Sequence, residues 1–125
     1  MTALVHVPSD EPAFYQREIT ATFENGGGIE ITVRGESIAG VLEILLSTVA
    51  VVKLNPDRMF DVRLRYWHLT EDLDQVEVQS SECVVENYED DPQRIVRRLA
   101  ATAKASLVKS LARHGITLRG ERGEL

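Results

Sequence analysis

Arg63, Arg65 and Trp67 alternate along one stretch, Phe60–Leu69, and their side chains suit one kind of chemistry. Two guanidinium groups beside an indole can neutralise phosphate and stack a nucleobase when all three share a strand face. Period-two spacing puts them on one face: Asp61, Arg63, Arg65 and Trp67 point one way, while Phe60, Val62, Leu64 and Tyr66 point the other. Thr20, Thr22, Thr32 and Arg34, on neighbouring stretches, add polar groups to that face. Arg63, Arg65 and Trp67 are therefore the candidate ligand-binding residues. The competing reading buries Trp67 under the N-terminal segment or in a subunit contact. Sheet-face nucleic-acid readers usually combine several stacking aromatics with a basic domain, whereas this chain has one tryptophan and a net charge of −6.

A second constellation is electrostatic. No Lys or Arg occurs from Thr70 to Gln93, a stretch that holds Glu71, Asp72, Asp74, Glu77, Glu82 and Glu86. From Arg94 onward the sign reverses, with Arg97, Arg98, Lys104, Lys109 and Arg113 following. Such asymmetry marks a charged partner, and those six acids are the candidate partner-binding residues. The plainer account pairs the acidic hairpin with the basic helix of the same chain, at ~0–1 kcal/mol for each exposed pair.

Catalytic chemistry finds little footing. Cys83 is the sole cysteine, which excludes an internal disulfide and reads as a small inward-facing apolar residue. His6, His68 and His114 are far apart in sequence. His68 lies near Glu71, Asp72 and Asp74, but one imidazole among turn carboxylates is weak grounds for a metal site. Glu18, Glu30 and Glu77 could approach one another on the open sheet face, yet no apolar pocket is legible to tune them for acid–base work. The Asn25-Gly26-Gly27-Gly28 run lacks the helix and lysine of a phosphate loop. No catalytic residue, metal or cofactor is predicted. The N-terminus reads as no signal peptide, and the apolar stretch Ile38–Val52, interrupted by Glu43, is too short to span a bilayer. A cytoplasmic protein without membrane contact is expected.

These residues are carried by one phrase used twice: two alternating strands, then a helix. Strands are expected over Phe14–Glu24, Ile29–Arg34, Phe60–Leu69 and Gln75–Asn87, with helices over Ile38–Lys53 and Pro92–His114. The order ββαββα predicts an α+β fold, an antiparallel sheet with both helices on one face, and a ferredoxin-like permutation is the reference arrangement. A barrel-like sheet continuous across a dimer is the alternative. Residues 1–12 form an N-terminal segment or edge strand, 13–115 the domain, and 116–125 a tail. A phase-keeping bulge at Ser80-Ser81 is expected to send Cys83 and Val85 inward. The first helix is apolar nearly all round, so Ile44, Val51 and Val52 are the expected oligomer interface of a homo-oligomer.

The functional expectation is a small non-enzymatic binding protein (an adaptor, inhibitor or immunity-type factor) engaging a protein partner through the acidic hairpin. The alternative is nucleotide or single-stranded nucleic-acid binding by the sheet face or the basic C-terminal helix.

Overall fold

The computed structural model describes residues 2–6, 17–69, 75–84 and 91–117. Among the described residues five strands form one sheet: β1 (Thr2–His6), β2 (Arg17–Asn25), β3 (Ile29–Gly35), β4 (Phe60–Leu69) and β5 (Gln75–Val84). Two helices, α1 (Ile38–Ala50) and α2 (Pro92–Arg113), complete the order. Alternation dictates the strands. Ile19, Ala21 and Phe23 of β2 are buried, and so are Ile31 and Val33 of β3, while the residues between them are more exposed. Gly27 and Gly28 turn the first hairpin with φ of 110° and 108°, values that side-chain-bearing residues rarely adopt.

The sheet runs β1-β3-β2-β4-β5. Each pair is antiparallel except β1 on β3, which is parallel, so the N-terminal segment does supply an edge strand. Both β3 and β4 are antiparallel to β2 and therefore parallel to each other, with β2 lying between them. The β3–α1–β4 unit is thus a split βαβ, the element shared with ferredoxin-like arrangements. Of the sheet's strands, β5 lies at one edge and β1 at the other.

Each helix starts on a side-chain cap. The Ser37 hydroxyl accepts from Gly40 N–H at 3.0 Å, and the Asp91 carboxylate accepts from Gln93 N–H at 3.1 Å, with Pro92 opening α2. Ile38, Val41, Leu42, Leu45 and Val49 of α1 meet Val96, Leu99, Ala103, Leu107 and Leu111 of α2 over the inward face of the sheet. Of the residues whose alternation predicts an inward face, Ile19, Phe23, Ile31, Val33, Phe60, Val62, Leu64, Tyr66 and Val78 lie in this core, while the side chain of Val76 is outside the described residues. Gln93 Nε2 donates to the Val49 carbonyl at 3.3 Å and ties the start of α2 to the end of α1.

The expected inward turn of Cys83 does not occur, and Val85, expected to follow it, lies outside the described residues. Pairing between β4 and β5 is unbroken from Phe60 opposite Val84 to Leu69 opposite Gln75, so there is no bulge at Ser80-Ser81. Phase is set by this ladder: Ser80 takes the buried position opposite Leu64, Glu82 stands on the helix side opposite Val62, and Cys83 faces outward, exposed. Helix α1 also ends earlier than its apolar run, because Val51 and Val52 fold back on Thr48 and Val49 carbonyls in a closing turn.

Candidate functional site

Register decides what the open face of the sheet brings together. Opposite neighbours across β3, β2, β4 and β5 form rows. One row is Thr32–Thr22–Arg63–Ser81, and the next is Arg34–Thr20–Arg65–Gln79. A carboxylate row, Glu30–Glu24–Asp61, bounds them on one side, and Glu18–Trp67–Glu77 bounds them on the other. Arg63, Arg65 and Trp67 do share this face, as their spacing requires.

Both arginines meet carboxylates of the same face. Arg63 Nη2 donates to Asp61 Oδ2 at 3.3 Å, and the Ser81 hydroxyl donates to Asp61 Oδ1 at 3.2 Å. The Arg63 Nε has no hydrogen-bond partner and is shielded from solvent, so the base of this guanidinium is clamped between its neighbours. Arg65 forms an ion pair with Glu77, its Nε donating to Oε1 at 2.8 Å. Its guanidinium carbon also sits 4.7 Å from the Trp67 ring centroid. One face of the indole therefore already holds a cation, in the position an incoming base would take. The Thr22 and Thr32 hydroxyls lie 3.3 Å apart and link β2 to β3 on the same surface.

The acidic stretch is not one surface. Glu77 faces the open side and is paired with Arg65, while Glu82 stands on the helix side of β5. Glu71, Asp72, Asp74 and Glu86 lie outside the described residues. Of the expected interface residues, Ile44 and Val52 pack partly against the core, and Val51 is 84 % exposed. Of the three carboxylates expected to gather, Glu18 and Glu77 flank Trp67, whereas Glu30 belongs to the opposite boundary row.

Strand register adds acids that residue spacing does not single out. Glu24 faces Glu30 on one side and Asp61 on the other, a run of three carboxylates across three strands. The signal was present as alternation in each strand, but only register turns three separate residues into a row. Cys83 adjoins this row opposite Asp61, and its thiol is pushed above the usual value by partial desolvation and then by the Asp61 charge. Among the described residues no group of three or more His, Cys, Asp or Glu is placed to hold a metal ion. Nor is any described helix long and apolar enough to cross a membrane.

On the far side of the sheet, α1 and α2 leave a groove of about 390 Å³ open between them. No protein-family model matches the chain, and no curated protein or solved structure does either.

Proposed function

We propose that the chain is a non-enzymatic binding protein whose open sheet face engages a basic surface on a protein partner. One observation carries this reading: the charge left on that face is acidic. With Arg63 held by Asp61 and Arg65 by Glu77, the outward carboxylates of Glu18, Glu24 and Glu30 have no partner among the described residues, against the single guanidinium of Arg34. Polyanion binding needs the opposite balance. A field of this sign steers a basic partner into encounter and fixes its orientation more than it tightens the final complex. The site expected in the hairpin thus extends onto the sheet, with Glu77 and Asp61 bracing the arginines between two acidic rows.

The test is capture of partners from the native host lysate by the wild-type chain and by a Glu18→Lys, Glu24→Lys, Glu30→Lys variant. A specific protein lost with the variant, whose circular dichroism is unchanged, supports the reading. Capture indifferent to the reversals removes it.

A second reading, nucleic-acid binding, draws on α2, whose 22 residues hold six cations and no acid. Arg94, Arg98 and Lys109 are exposed along it. Anisotropy titration of dye-labelled nucleotides and oligonucleotides against the wild-type and Trp67→Ala chains distinguishes the two sites. A base stacked on the indole adds ~1–3 kcal/mol that Trp67→Ala removes. Binding along α2 instead leaves Trp67→Ala neutral and falls steeply with added salt.

A further inference from the structure

The groove on the helix side is lined by one stripe from each helix. Ala39, Leu42, Glu43 and Leu46 come from α1 at helical spacing, and Arg97, Ala100, Ala101 and Lys104 come from α2 at the same spacing. Its floor is apolar, and small residues on both walls leave room for another backbone to approach. Each wall carries charge of one sign. Glu43 is the only charged residue in the 13 of α1, and α2 bears cations alone. A surface with an acid on one wall, bases on the other and an apolar floor between them is complementary to itself.

We propose that this groove is covered by the same groove of a second copy, in an isologous dimer with its two-fold axis running along the groove. Rotation about that axis lays α1 of one copy over α2 of the other. Glu43 then faces Arg97 and Lys104 of the partner subunit twice, once in each direction, as a closed two-fold contact requires. Leu46, half-buried in one copy, meets the exposed Ala101 of the wall opposite and loses its remaining water, while Leu42 and Ala100 are already buried. The charges set the pairing and its register, and the Leu46–Ala101 contacts add apolar burial. This arrangement uses the face of the molecule away from the acidic sheet surface. It stands independently of the partner-binding reading, and it would present two such surfaces facing outward on one particle.

Sedimentation equilibrium and a pair of charge reversals test it. The wild-type chain is expected at twice its 14.0 kDa mass at high micromolar concentration. Glu43→Arg alone, and Arg97→Glu with Lys104→Glu alone, each place like charges together at both contacts and should weaken the dimer by on the order of 100-fold. Mixing these two monomeric proteins should restore a dimer, because Glu43→Arg in one chain then meets the reversed wall of the other. A wild-type monomer at high micromolar concentration overturns the proposal. So does a dimer indifferent to both reversals, which would place the interface elsewhere, at a sheet edge for example. A mixture that stays monomeric while both variants keep wild-type circular dichroism overturns it as well.

Discussion

Asp61 does two jobs on the open face, and both can be measured one residue at a time. It holds the Arg63 guanidinium, and its charge helps raise the Cys83 thiol opposite. A raised thiol pKa means less thiolate at a given pH, and thiolate is the reacting form. Alkylation of Cys83 is therefore expected to lag behind a free-cysteine peptide between neutral and mildly alkaline pH. Asp61→Asn should shift the rate profile part of the way toward lower pH, since the larger cause, desolvation, remains. A profile that does not move would show that the charge is not felt at the sulfur. Asn25 makes a second residue-scale case. It is 1 % exposed at the end of β2, its Nδ2 donates to the Asn55 carbonyl at 3.3 Å, and its Oδ1 accepts from Asn55 N–H at 3.4 Å. The loop after α1 is pinned to the sheet by these bonds. Asn25→Ala should lower unfolding stability by ~1–3 kcal/mol, read from urea denaturation, because the loop's polar groups lose a buried partner. Asparagine next to a glycine run reads in the sequence as turn chemistry alone, and only the approach of residues 55–59 makes it a clasp.

Strands and helices are where local sequence speaks most directly. Alternation gives the face of β2, β3 and β4 and the span of β4, and each helix opens on a residue type suited to capping, Ser37 and Asp91. Strand β5 is the instructive exception. Ser80-Ser81 interrupts its apolar pattern and suggests a slip of phase, yet the β4 ladder holds β5 straight and buries a serine instead. Backbone hydrogen bonds along the whole strand outweigh the preference of one buried position for an apolar side chain. The carboxylate row is an element-scale consequence of the same ladders. Directly opposed like charges are destabilising, so Glu24→Lys, which would set a cation between Glu30 and Asp61, should raise stability. The gain should be ~0.2–1 kcal/mol, reduced by salt, and thermal melts at low and high ionic strength would show both features. A loss of stability would mean that Glu24 has a favourable role in the free domain, and the row would then no longer be a feature held at a cost.

At the scale of the molecule, one core serves both helices and the four strands beneath them, so a cavity anywhere in it is felt globally. Leu107→Ala, at a position with no exposure, should cost ~2–5 kcal/mol, a large share of the ~5–15 kcal/mol of a typical domain. Calorimetry would show a single lowered transition if the layers unfold together. The charge split along the chain also takes its meaning here. Of the acidic stretch, Glu77 faces the open side and Glu82 the helix side of β5, so closeness in sequence does not make one acidic surface of it. The sequence by itself determined the order ββαββα, the inward faces of β2, β3 and β4, and the alignment of Arg63, Arg65 and Trp67. Those properties follow from periodicity and capping, which are local. Tertiary structure alone decided that β2 lies between β3 and β4, that Glu77 and Asp61 neutralise the two arginines, and that Glu24, Glu30 and Asp61 form a row. It also set the stripes of α1 and α2 beside one groove. Each of these depends on which strand or helix becomes a neighbour, and that choice is made by the packing of the whole core.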